Sequence, residues 1–218
     1  MPLYLAPHLH AAAFGRDLVL LDIVKGDYRL LAGAADVFSF TGPSRILDTE
    51  ESDVGADLLA EGIVATAPGP PQKPPPRFPG RSALEREAEP VRPSDVTQMT
   101  LAFGAMVGRY WGKGLPALLE HARRGAAAAP ASPLPIEEVA RTALVFDQLS
   151  PWIPFQGDCL FRCFMLLQWL HRSEASGVRW VFGIRTGPFY AHCWLQADDL
   201  ALTDFAEPLV NFSPVYAV

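Results

Sequence analysis

The chain has 218 residues, half of them hydrophobic, three cysteines and a formal charge of −6. That length and apolar content allow one or two small domains with their own cores and exclude wholesale disorder. No apolar run approaches the ~18 residues of a membrane span, and no basic segment followed by an apolar stretch stands at the N-terminus, so a cytoplasmic location is expected.

The first module is strand-rich. Asp17 to Val24 is dense in Leu and Val, Lys25-Gly26-Asp27 interrupts it and Tyr28 to Leu31 resumes it, which predicts a β-hairpin; Pro2 to His10 adds a third strand. Two short helices are expected over Ala34 to Phe40 and Val54 to Glu61, the second capped by Ser52 and stopped by Gly62. Strands and small helices in this order suggest a winged-helix-like domain over residues 1–66. Those residues carry four Lys/Arg against ten Asp/Glu, whereas the rest of the chain is balanced at 14 of each sign. An acidic module repels phosphate backbones, so nucleic acid is not expected as a partner.

Nine prolines between Ala67 and Gln98 predict a linker over 67–93. A second domain over 94–218 then opens with a helix from a Ser94 cap to about Trp111. Gly125 to Pro133 reads as a loop. Pro135 starts another helix, with Ile136, Val139, Ala140, Ala143 and Leu144 on one face. A third runs from Asp158 to about His171. Three β segments follow, near Val178 to Arg185, Phe189 to Gln196 and Leu200 to Phe205, completing an α+β fold with a helix ahead of an antiparallel sheet.

All three cysteines lie between 159 and 193, in a chain with no export signal, which argues against a disulfide framework. Cys159 sits at a helix N-terminus, where unpaired N–H groups and the positive dipole end favour a thiolate. Cys163, one turn on among Phe161, Phe164 and Leu166, reads as a core residue. If Ala197-Asp198-Asp199 forms the hairpin turn, His192 pairs with Asp204, and opposed Cβ atoms lie about 4.5–5.5 Å apart. The carboxylate can then orient the imidazole while its other nitrogen deprotonates a thiol. Cys193 is expected on the opposite sheet face from His192, which argues against a zinc site built from Cys159, Cys163, His192 and Cys193. Gln156 can donate to a developing oxyanion. Helix Cys, strand His and a following Asp form the order and architecture of papain-like and transglutaminase-like enzymes.

The run Cys159-Leu-Phe-Arg-Cys, then Gly183-Ile-Arg-Thr-Gly-Pro188-Phe189-Tyr-Ala-His192-Cys-Trp194-Leu-Gln and Thr203-Asp204 resembles the lasso-peptide biosynthesis B protein family over roughly residues 135 to 215. Cys193 and Gln196 stand where that family's pattern leads one to expect Ala and Glu. The front module, through Leu20-Leu21-Asp22-Ile23, Gly26-Asp27-Tyr28 and the two expected helices, is similar to the precursor recognition element of ribosomal peptide biosynthesis. The resemblance implies a transglutaminase-like cysteine peptidase that cuts the leader from a precursor peptide, with Cys159, His192 and Asp204 as its catalytic residues and no cofactor. It further implies that the leader adds a strand to the front module near Tyr28, Leu30, Leu58 and Leu59, and that an asparagine-synthetase-like, ATP-dependent cyclase acts as partner. Acyl transfer by the same residues and a non-catalytic leader-binding scaffold are the alternatives.

Overall fold

A computed structural model describes the chain except residues 43, 52, 72–73, 128–133, 155–156 and 174. The expected Ser52 cap therefore lies outside the described residues, as does most of the Gly125 to Pro133 loop. The chain forms two compact units, Met1–Pro75 and Pro76–Val218. Among the described residues, no helix is long and apolar enough to cross a membrane.

The first unit holds two small sheets. β2 (Leu9–Phe14), β3 (Asp17–Asp22) and β4 (Asp27–Leu31) form an antiparallel meander, the expected hairpin with its third strand. β1 (Tyr4–Leu5) joins β5 (Phe38–Thr41), β6 (Ile46–Thr49) and β7 (Val64–Ala65) in a second sheet of order β5-β6-β1-β7. One helix, α1 (Val54–Ala60), precedes Gly62, whose positive φ ends it as expected. The segment Ala34 to Phe40 is not a helix. Only Ala34–Asp36 makes a 3-10 turn, and Phe38 onward is strand because alternate residues of Phe38-Ser-Phe40-Thr face the core, a period-2 pattern. This unit thus contains less helix than a winged-helix-like module implies. Leu18 and Leu20 of β3 pack with Leu5, Phe38, Leu58 and Ile63 in its core.

The second unit begins within the segment read as linker. β8 (Arg81–Ser82) pairs in parallel with β11 (Leu200–Ala201), and a 3-10 turn follows whose cap is reciprocal: the Ser82 hydroxyl accepts from Leu84 N–H, and Glu85 accepts from Ser82 N–H. α2 (Pro93–Tyr110) starts two residues earlier than a Ser94 cap implies, since Pro93 has a φ preset for the first helical turn; Asp95, rather than Ser94, satisfies the N-terminus by accepting from Arg92 N–H at 2.8 Å. α3 (Leu115–Ala127) extends into the expected loop. α4 (Ile136–Leu149) buries Val139, Ala140, Ala143 and Leu144, four of the five residues read as its apolar face. Arg141 of α4 makes a bidentate, buried pair with Asp95 at 2.6 and 3.2 Å and also donates to the Pro90 carbonyl, tying α2, α4 and residues 90–95 together.

α5 (Cys159–Arg172) lies against a sheet of order β12-β9-β10-β11-β8, formed with β9 (Val178–Arg185), β10 (Tyr190–Ala197) and β12 (Ser213–Ala217). The opposite sheet face is covered by α6 (Ala206–Leu209) and Phe212, which pack on Val181, Trp194 and Ala201.

Candidate functional site

Asp158 caps α5. Its carboxylate accepts from Phe161 N–H at 3.1 Å, which leaves Cys159 as the first helical residue. The chain before it must be glycine: a Cβ on Gly157 would lie 2.4 Å from the Phe161 side chain. α5 therefore presents the half-buried Cys159 thiol at its N-terminal end, as its place in the sequence implies.

The hairpin that carries the other two residues differs from expectation. Gln196 pairs with Ala201 and Ala197 with Leu200, so the turn has two residues, Asp198-Asp199, and the register is shifted by one. Asp198 makes this turn because it adopts φ of 48°, a left-handed conformation that Asp tolerates. The turn is held by the Gly80 N–H, which donates to the Asp199 carboxylate at 2.7 Å, and by Gln196, whose amide donates to the Arg77 and Asp198 carbonyls, both at 2.7 Å. The Gln196 carbonyl accepts from the Trp194 indole. A glutamate at 196 could not donate those amide bonds.

β11 ends at Ala201, so His192 and Asp204 are not a strand pair. They meet because the chain bends away from β10 and the Asp204 carboxylate reaches the ring: His192 Nε2 lies 2.7 Å from Asp204 Oδ1. Thr203 fixes this bend. Its hydroxyl accepts from Leu195 N–H at 3.0 Å and donates to Asp204 Oδ2 at 2.8 Å. The Ser82 hydroxyl donates to the Asp204 carbonyl at 2.7 Å. Nothing in sequence spacing pointed to Ser82, which lies 122 residues before Asp204.

The Cys193 side chain and backbone and the His192 ring are the groups that act on the Cys159 thiol. Alternation places His192 and Cys193 on opposite faces of β10, as expected: the His192 ring lies by Trp194 and Phe212, whereas Cys193 meets α5. Cys163 also borders the group, with Sγ 3.4 Å from the Cys193 carbonyl oxygen. Among the described residues, no group of three or more His, Cys, Asp or Glu side chains is arranged to hold a metal ion.

The charges follow from these contacts. Hydrogen bonding from Cys193, together with the His192 ring, outweighs burial and lowers the Cys159 pKa from 9.0 to about 5. Burial alone would lower His192, yet its bonds to Asp204 and Cys159 raise it from 6.5 to about 10. Near neutral pH the pair is a thiolate and an imidazolium. Burial, joined by contact with Cys159, holds the Cys193 thiol protonated, its pKa well above 9.0. Tyr110, at the end of α2, is a neighbour that sequence reasoning missed: burial and the nearby Asp158 carboxylate raise it to about 12.

Of the other expected site residues, Gln156 lies outside the described residues. Leu30 and Leu59 are exposed and Leu58 is buried in the core of the first unit. Tyr28 and Leu30 oppose Leu21 and Val19 across β3, whereas Leu58 packs with Leu18 and Leu20. Period-2 alternation therefore puts Tyr28 and Leu30 on the sheet face away from Leu58, and the four residues do not line one surface.

A family model of the transglutaminase-like superfamily matches residues 104–217, just over half of the chain, spanning α5 and strands β9 to β12, His192 among them. No curated protein and no solved structure matches the chain.

Proposed function

The chain belongs to the transglutaminase-like superfamily, which includes cysteine peptidases and acyltransferases, and from that premise we propose that it is a cysteine peptidase that removes the leader from a ribosomally made lasso-peptide precursor. The observation that carries the chemistry is the His192 ring held by Asp204 at 2.7 Å, in a unit whose α5 presents the Cys159 thiol at its N-terminus.

In this reading the Cys159 thiolate attacks the scissile carbonyl. The His192 imidazolium then gives its proton to the departing amine, leaving an acyl-enzyme thioester, and the neutral ring activates the water that releases it. Because Asp204 holds Nε2, Nδ1 is the nitrogen left to exchange protons with Cys159 and substrate. The α5 N-terminus offers backbone N–H groups to the tetrahedral oxyanion. Neither attack nor proton transfer calls for a metal or organic cofactor.

The first unit serves as the leader-recognition domain, related in this reading to the winged-helix-like precursor recognition element. Support comes from β4, an edge strand to which an extended peptide can add, and from the exposed Leu30 upon it. The freed core peptide would pass to an ATP-dependent cyclase.

The test is mass spectrometry of a lasso precursor peptide incubated with wild type and Cys159→Ala, with and without an ATP-dependent cyclase. Leader–core cleavage by wild type alone is expected. Equal processing by the variant would remove Cys159 as nucleophile, and binding without cleavage in every mixture would favour a scaffold.

A further inference from the structure

Arg185 is the last residue of β9 and lies directly opposite Tyr190, the first residue of β10. Opposed residues share a sheet face, and so do alternate residues of one strand, which puts Arg185, Tyr190 and His192 on the same side. The side chains meet there. The Arg185 guanidinium carbon lies 5.2 Å from the centroid of the Tyr190 ring and 5.6 Å from that of Phe212. The same two rings flank the His192 ring, at 6.5 and 5.3 Å between centroids. Because Phe212 borders both, the guanidinium and the imidazole are at most about 11 Å apart, the span of about three extended residues.

Arg185 is exposed, and among the described residues it has no carboxylate within ion-pair distance and donates no hydrogen bond. Arg81, Arg141 and Arg162 of the same unit are each paired with an aspartate. Ring faces hold a guanidinium by cation–π attraction while its N–H edge stays free. That edge matches a carboxylate in a bidentate bond, and a guanidinium already held in place gives up less freedom when the bond forms. We propose that Arg185, on its platform of Tyr190 and Phe212, is a subsite for a peptide carboxylate within about three residues of the bond that is cleaved. The inference rests on the peptidase reading and adds to it a preference for substrate sequence. An aspartate or glutamate side chain and a free C-terminus both supply the group; a cut far from the end of the peptide leaves only the side chain.

Protection of Cys159 from iodoacetamide in the full chain tests this without requiring cleavage. The probes are acetylated and amidated penta-alanine peptides carrying Asp at each position in turn, their Asn counterparts, and acetylated penta-alanine with a free C-terminal carboxylate. Alkylation is read by mass on the tryptic peptide 142–162, which holds Cys159 and neither of the other cysteines. In wild type at low salt, an Asp peptide should half-protect Cys159 at about a tenth of the concentration its Asn counterpart needs, and the difference should shrink at high salt. Arg185→Gln should bring the two levels together, and Arg185→Lys should restore part of the gap. A gain for the free-acid peptide alone would support the subsite and make its ligand a chain end. Equal protection of wild type by Asp, Asn and free-acid peptides would overturn the proposal, as would a preference that survives in Arg185→Gln. Protection by no peptide, with Cys159 still alkylated, would remove the peptide-binding reading and the subsite with it. The wild-type comparison decides even if a variant fails to fold.

Discussion

At Cys159 three groups act on one thiol: the Cys193 side chain, the His192 ring and the Cys193 backbone. Alkylation by iodoacetamide reads the thiolate fraction. In wild type its rate should rise with pH to a midpoint of about 5 and then level, because the thiol's pKa is depressed there from 9.0. Removing the ring in His192→Ala takes away one stabilising partner, so the midpoint should move up toward 9.0, and below it the rate falls about tenfold for each unit of that rise. An unchanged midpoint would mean that His192 does not interact with the thiolate. The ring titrates in the opposite sense. Its pKa of about 10 keeps it protonated through neutral pH, so activity in the proposed reaction should fall on the acid side near 5 and on the alkaline side near 10.

Among the elements, β10 decides the geometry, and its placement depends on a glycine across the ladder. Gly183 of β9 opposes His192. A Cβ there would stand 2.8 Å from Trp194 Cζ3 and 3.2 Å from the Ser213 carbonyl oxygen. Trp194 is completely buried against Phe212 and Leu209 and has no room to yield, and its ring stacks 6.3 Å from that of His192. Gly183→Ala should therefore lower stability by about 1–3 kcal/mol and slow Cys159 alkylation at pH 6 as His192 is displaced. Urea unfolding of both proteins checks the first effect and the alkylation rate the second. Full stability with normal reactivity would show that the Trp194 ring is not fixed by its neighbours.

Across the whole molecule, the boundary at Pro75 and Pro76 matters more to the site than the proline density around it suggests. β8 borders β11, and Ser82 bonds the Asp204 carbonyl, so residues 76–93 support the His192–Asp204 contact. A chain beginning at Pro76 should keep the alkylation profile of the full chain while losing affinity for the leader in the proposed function. A chain beginning at Ser94 should lose both the profile and cooperative thermal unfolding. If the shorter chain matches the longer one in both measurements, β8 contributes nothing to the site.

Much of the site is local and was legible in the residues themselves. The helix that begins at Asp158-Cys159, the β9 and β10 strands and the presence of His192 and Asp204 on successive segments all follow from residue chemistry and periodicity over a few residues. The family resemblance rests on these same stretches. Other features depend on residues far apart in the chain, where periodicity carries no information. The two-residue turn at Asp198 shifts the register, and the early end of β11 replaces a strand pair with a bend held by Thr203 and Ser82. Proline spacing could not reveal that Arg81 and Ser82 become a sheet edge, because a strand of two residues is defined by its partner. Likewise, apolar character alone could not divide Leu58 from Tyr28 and Leu30: which face of a sheet is buried is decided by the layer that packs against it.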